Sequence, residues 1–241
     1  MERFIKKMKR NVDIICFPEF ATTGYSLGSK WRKLAEPIPG TTTRRLFSLA
    51  REHGHYIIAG LPELDIATGN VYDTSAFVSP TDEKIEVYRK VHLWGKERQY
   101  LTHGTQLPMF ETRFGKLGMG ICYDLEFPEH ARALTIGGAD VIFFPSAQMK
   151  PLKDMIIRYV QTRAVENQVF VALANRIGTE GTTAFFGASR ISSPEGQILA
   201  ACAEKEDMAI AKLDIKSLRS RRKKFPYIKH RIPSLYRSLS E

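Results

Sequence analysis

Several things that would settle a class at once are scarce or absent in this 241-residue sequence. Its three cysteines, Cys16, Cys122 and Cys202, are too few and too scattered for a disulfide framework, which points to a reducing, cytoplasmic setting. No apolar run approaches the roughly 18 residues of a membrane-spanning helix, so no membrane partner is expected. The first residues lack the basic, apolar and small-residue succession of a secretory leader. No Walker-type loop and no Gly-x-Gly-x-x-Gly fingerprint precedes a helix, which argues against a nucleotide cofactor. His53 and His55 offer two ligands without a third, so no metal is expected. Repeats, low-complexity tracts and Gly/Ser linkers are also missing. Residues 1–241 therefore read as one domain, long enough to bury its own core.

Charge is the one extreme quantity. The formal net charge of +10 invites a nucleic-acid reading, but its distribution weakens that reading. Residues 1–10 carry +4 and residues 216–237 carry nine Lys or Arg with no acid, whereas residues 11–215 sum to −2. The run Arg219-Ser-Arg-Arg-Lys-Lys224 lacks interleaved aromatics until Phe225 and Tyr227. Nucleic acid is thus a remote alternative as a partner.

Short apolar, β-branched runs alternate with helical patterns. Strands are expected at 12–17, 55–61, 71–79, 84–91, 117–121, 140–144, 168–174, 183–192 and 208–213. Helices are expected at 41–53, at 128–137 behind Pro128, and at 153–167. The mixture implies an α/β or α+β layered fold. Phe4, Ile5 and Met8 lie at helical spacing among basic residues, as at the end of an amphipathic helix.

The segment Gly118-Met-Gly-Ile-Cys-Tyr-Asp-Leu-Glu-Phe-Pro-Glu129 carries most of the chemical information. An apolar strand runs into Cys122 and a Pro-opened helix follows, the strand-to-turn-to-helix setting of an exposed nucleophile. Free N–H groups there can meet a developing oxyanion, and the helix start favours thiolate over thiol. Cys122 as a small buried apolar residue is the competing reading. A nucleophile needs a base and an electrophilic partner. Glu19 and Lys90 stand where apolar strands end, with Glu97 and Asp124 at similar places; each alone could be a solvated strand end. His92 and His130 could pair with Cys122, although nothing in their spacing requires it.

Together these segments resemble the carbon–nitrogen hydrolase (nitrilase) superfamily, and its amidase members in particular. Phe17-Pro-Glu-Phe-Ala-Thr-Thr-Gly-Tyr25 resembles the family's base motif, Tyr88-Arg-Lys-Val-His-Leu93 its lysine motif, and Gly120–Glu129 its nucleophile motif. Glu97 matches the family's second glutamate. Further matches run through Gly138–Ala147, Arg163–Val171, Ala174–Gly178, Phe186–Ser189 and Ser193–Gly196.

The resemblance implies a four-layer α-β-β-α sandwich that pairs across subunits, as a homodimer or higher homo-oligomer, with the basic tail 216–241 at a subunit interface. It also implies that the family's first strand is absent and that this chain starts inside the helix that follows. By the same resemblance Glu19 is the general base, Lys90 and the Tyr123 N–H hold the oxyanion, Cys122 forms a thioester, and Glu97 keeps Lys90 charged. No organic cofactor is implied. Glu126 and Ala147 are expected at the substrate. Carboxylate-binding members often carry arginine just after the Cys-x-Asp of this motif, where this chain reads Leu125-Glu126. An anionic substrate beside Glu126 would be repelled. The expected substrate is therefore a small neutral or amine-bearing aliphatic amide, with N-carbamoyl compounds and ω-amidase substrates as the alternatives.

Overall fold

The protein is described from a computed structural model, which covers every residue except Arg10, Glu83 and Glu241. Arg10, counted above in the basic start, and Glu241, at the end of the basic tail, lie outside the described residues.

The helices are α1 (Glu2–Lys7), α2 (Trp31–Leu34), α3 (Thr41–His53), α4 (Pro128–Ile136), α5 (Lys153–Asn167) and α6 (Ile215–Lys224). The strands of the first sheet are β1 (Ile14–Cys16), β2 (Tyr56–Leu64), β3 (Val71–Val78) and β4 (Ile85–Arg89), hydrogen-bonded in that order. The β1–β2 pair is parallel and the other two are antiparallel. The second sheet uses β5 (Phe110–Thr112), β6 (Gly115–Met119), β7 (Val141–Ser146), β8 (Phe170–Asn175), β11 (Arg190–Ser192) and β12 (Ile198–Ala201). Its order is β12-β11-β8-β7-β6-β5, and β9 (Ile177–Glu180) with β10 (Thr183–Phe186) forms a separate hairpin.

Side-chain alternation turns these elements into layers. Tyr56 and Ile58 of β2 face Met119, Val141 and Phe143 of the other sheet, so the two sheets share one core. The intervening Ile57 and Ala59 turn the other way, onto Ile5 of α1 and Leu46, Leu49 and Ala50 of α3. On the far side, Ile142, Phe144, Val171 and Leu173 pack against Ala131 and Leu134 of α4 and Ile156, Val160 and Ala164 of α5. The result is the expected α-β-β-α sandwich. Strands apolar on both faces are what such a position requires.

Helices α3, α4 and α5 fall where the sequence places them. Glu36 accepts the Thr42 N–H at 2.7 Å at the start of α3, and Gly54 at φ 75° ends it. Two strand expectations are corrected. The run 183–192 divides into β10 and β11, in different sheets, because Gly187 and Ala188 adopt left-handed backbone between them. Residues 208–213 pair with no strand among the described residues; they line, together with the edge strand β1, a cavity of about 960 Å³. The basic tail is partly absorbed into the fold. Arg219 and Arg222 of α6 reach the buried Asp140 at 2.7 and 3.2 Å, and Leu218 enters the inter-sheet core.

Gly60 on β2 allows the backbone after β1 to cross close by: a Cβ there would lie 2.6 Å from the Phe20 nitrogen and 2.8 Å from Glu19 Cα. Both neighbours are backbone atoms, which cannot rotate away. Gly60→Ala is expected to cost about 1–3 kcal/mol in urea unfolding.

Candidate active site

Four segments of the chain bring charge to one buried point. The β1 ladder continues to the Phe17 N–H, Pro18 ends it, and Glu19 follows, fully buried, with Phe20 in left-handed backbone at φ 46°. Lys90 comes directly after β4 and is also fully buried. Its ammonium meets Glu19 Oε1 at 2.6 Å and Glu97 Oε1 and Oε2 at 2.9 and 2.8 Å. Asp73 of β3 supplies a third carboxylate at 3.4 Å. Glu97 sits in the short turn Gly95–Gln99, where it also accepts the Trp94 N–H and the Tyr25 hydroxyl, each at 2.8 Å. Glu180 of β9 fixes the Tyr25 end by accepting the Tyr25 and Ser26 N–H groups at 2.9 and 2.6 Å.

Cys122 opens a tight turn, Cys122–Glu126, between β6 and α4, with its own φ at 49°. A non-glycine residue in that region stores strain, and here the turn is held from several sides. Asp124 accepts the Ile121 N–H at 2.7 Å, the Tyr88 hydroxyl at 2.6 Å and the His92 N–H at 3.0 Å. Gln148 donates to the Cys122 carbonyl at 3.2 Å, and Arg163 donates to the Leu125 and Glu126 carbonyls at 3.0 and 2.9 Å. The Tyr123 N–H has no acceptor among the described residues and is free to serve an oxyanion. A narrow cleft over the thiol is lined by Tyr25, Trp94, Tyr123, Glu126, Ala147 and Met149.

Electrostatics here are governed by burial. Burial alone would lower the Lys90 ammonium, but Glu19, Glu97 and Asp73 override it and hold the group well above its ordinary range. Burial raises Glu97 against the opposing pull of Lys90. Burial, then the Glu19 charge, pushes the Cys122 thiol well up, while Lys90 and the Ala147 N–H pull back. The expectation that the helix start favours thiolate is therefore corrected: desolvation outweighs it, and the resting group is a thiol in need of a base.

Glu19, Lys90, Cys122, Glu97, Tyr123, Glu126 and Ala147 thus gather at one place. The histidines do not pair with Cys122. His92 Nδ1 meets Asp124 at 2.7 Å while its ring stacks on Phe127, and His130 Nε2 meets the Met119 carbonyl at 3.0 Å. Glu126, half-buried, is raised by desolvation, with Arg163 opposing. Sequence reasoning missed Tyr25 and Asp73, although Tyr25 closes the base motif and Asp73 interrupts an apolar strand. Two groups have the spacing of metal ligands: Glu19, Asp73 and Glu97, and His92, Asp124 and His130. Lys90 already stands as the cation among the first group. In the second, the Asp124 oxygens are occupied by the donors named above.

Comparison with known proteins adds family and fold. The sequence profile described as Carbon-nitrogen hydrolase matches residues 1–223. A probable nitrilase of Schizosaccharomyces pombe is 34% identical over 233 residues, covering 95% of this chain and 86% of its own. An omega-amidase of Xenopus tropicalis is 33% identical, with coverages of 95% and 86%. The crystal structure of Saccharomyces cerevisiae Nit3, a member of branch 10 of the nitrilase superfamily, aligns with a TM-score of 0.85 at 31% identity, covering 93% and 84% of the two chains. A glutamate-to-glutamine variant of the amidase from Nesterenkonia sp. AN1 aligns with a TM-score of 0.81 at 26% identity, covering 94% and 83%. That structure shows covalent addition of the acetamide moiety of fluoroacetamide at its active site cysteine.

Removing the carboxylate beneath the Cys122 turn would orphan the Ile121 N–H, the Tyr88 hydroxyl and the His92 N–H at once. Asp124→Ala is expected to destabilise the protein by about 3 kcal/mol or more in urea unfolding, whereas Asp124→Asn, which keeps an acceptor, costs less.

Proposed function

The chain belongs to the carbon–nitrogen hydrolase family and hydrolyses the C–N bond of amides, and on that premise we propose a small neutral or amine-bearing aliphatic amide as its substrate, cleaved through a thioester on Cys122. One observation carries this reading: the buried Glu19–Lys90 pair adjoins Cys122, whose thiol is pushed well up by burial, and the cleft above that thiol is lined by Glu126 and, among the described residues, by no lysine or arginine.

In the proposed cycle Glu19 takes the thiol proton as the sulfur attacks the amide carbon. Protonation of Glu19 loosens its hold on Lys90, whose ammonium can then turn, with the Tyr123 N–H, toward the oxygen that has gained the charge. Glu19 passes the proton to the departing nitrogen and ammonia leaves. The same carboxylate then draws a proton from water, which hydrolyses the thioester to the acid and restores the thiol. Glu97 holds Lys90 charged and oriented throughout. No step needs an organic cofactor.

A carboxylate on the substrate finds no lysine or arginine among the described residues lining the cleft and meets Glu126 instead. The omega-amidase of Xenopus tropicalis and a 2-oxoglutaramate amidase of Bacillus subtilis, 33% identical each, give the competing reading of a dicarboxylate monoamide. We further propose that residues 1–241 act as one catalytic domain in the cytoplasm. The exposed side chains of Phe225, Tyr227, Ile232 and Leu235, beyond α6, would meet a second copy of the chain.

Two experiments test these assignments. In an ammonia-release screen over neutral, amine-bearing, carbamoyl and carboxylate-bearing amides, neutral or amine-bearing substrates are expected to lead. Cys122→Ala abolishes release, and Glu126→Arg moves the preference toward anionic amides. Ammonia release that survives Cys122→Ala, or a wild-type preference for carboxylate-bearing amides, sinks the corresponding part. Light scattering on the chain ending at residue 224 is expected to give a smaller assembly than the full chain, and equal masses would remove the tail from the interface.

A further inference from the structure

Asp73 has no part in the cycle above, yet it stands inside the same enclosure. Its backbone carbonyl accepts the Lys90 N–H at 2.8 Å, one residue beyond the cross-strand pair Thr74 and Arg89, so β3 and β4 fix the two side chains together. The side chain is fully buried, and a carboxylate oxygen from each of Asp73, Glu19 and Glu97 lies within 4.8 Å of the others. Neither Asp73 oxygen has a hydrogen-bond partner, and neither has Glu19 Oε2. Three buried acceptor oxygens therefore face one another without a donor, which native interiors do not tolerate if all are ionised.

Charge makes the same point. One ammonium cannot neutralise three carboxylates, and unlike Glu97, which has Lys90, Tyr25 and Trp94 as donors, Asp73 has among the described residues only the longer ion pair with Lys90 and no hydrogen bond. A single proton shared between Asp73 and Glu19 would satisfy an oxygen on each and remove one negative charge. Its position is set by distance. Lys90 lies 2.6 Å from Glu19 but 3.4 Å from Asp73, so the ammonium favours the anion on Glu19 and leaves the proton on Asp73.

We propose that Asp73 is a positioning residue of this centre: a neutral carboxylic acid whose O–H donates to the free oxygen of Glu19 and so holds that carboxylate in place as the base beside Cys122. The assignment rests on the reading of Glu19 as the base. Burial first, and the Glu19 charge second, push the Asp73 carboxyl well above its ordinary range against the pull of Lys90. The titratable groups facing Asp73 are Glu19, Lys90 and Glu97, with Cys122 and Tyr25 one group further.

The test combines stability against pH with kinetics. An aspartic acid that is protonated when folded and ionised when unfolded makes the native state bind the extra proton. That contribution to stability is complete below the unfolded value of about 4 and is lost as pH rises toward the folded value. Asp73→Asn cannot titrate. Between about pH 5 and 7, its unfolding equilibrium constant in urea is therefore expected to improve on that of wild type by about tenfold per pH unit. An ionised Asp73 paired with Lys90 predicts a difference that does not grow in the variant's favour over that range, and this result overturns the proposal. In the kinetic arm, Asp73→Asn, whose amide can still donate to Glu19, keeps kcat within about tenfold. Asp73→Leu lowers kcat by about 10²-fold with KM little changed. Full kcat in folded Asp73→Leu also overturns the proposal, and if that variant does not fold, the Asp73→Asn titration decides. The unfolding titration needs no substrate. A failure of the amidase reading therefore leaves it standing as a separate result.

Discussion

The arrangement depends on a lysine ammonium placed where water cannot reach it. An isolated charge so deep would cost far more than the folded state can supply, and it persists only because carboxylates surround it. Those carboxylates come from the end of β1, from β3, and from the turn after β4, so the ion cluster ties together elements distant in sequence. Removing one partner from such a buried cluster typically costs about 3–5 kcal/mol, because the remaining charges lose their compensation. The first sheet is therefore bound to the position of Lys90 as firmly as Lys90 is bound to the sheet.

The thiol sits at the other side of this cluster and inherits its electrostatics. Desolvation and the Glu19 charge push the Cys122 thiol well up, against a standing thiolate. In the proposed cycle the thiolate forms only when Glu19 takes the proton, which suits a group that must not react with every electrophile in its surroundings. Strain contributes as well. Among the described residues, Phe20 and Cys122 are two of the four non-glycine residues with positive φ, and the Cys122 carbonyl is held by Gln148 from beyond β7.

Much of this was legible in the sequence because alternation and helix signals are local. Helix α3 was expected at its observed bounds, and the inward and outward faces of β2 follow from its apolar run. The base, lysine and nucleophile motifs could be recognised only together, by their resemblance to the family's, since Glu19 or Lys90 alone reads equally as a solvated strand end. Asp73 was not, since Val71-Tyr-Asp-Thr-Ser75 reads like any strand with polar residues among apolar ones. Only the packing of a second sheet over β3 reveals that the Asp73 side is dry. The division of 183–192 was invisible for a related reason: Ala188 carries no mark of the left-handed backbone that tertiary contacts impose on it. The missing partner of 208–213 is a matter of which edges meet, which no local pattern encodes.

The carboxylate cage around Lys90 also bears on selectivity within the proposed cycle. A thioester is an acylating agent, and the nearest amine to it would be this lysine. A free amine there would capture the acyl group as a stable amide, ending the enzyme's life after one turnover. Held protonated by Glu19 and Glu97, the nitrogen has no lone pair to offer. The acyl group is then left for water drawn by Glu19 rather than for the lysine. The cage thus acts as a protecting group built from side chains, keeping the positive charge for catalysis while withholding the nucleophile that would carry it.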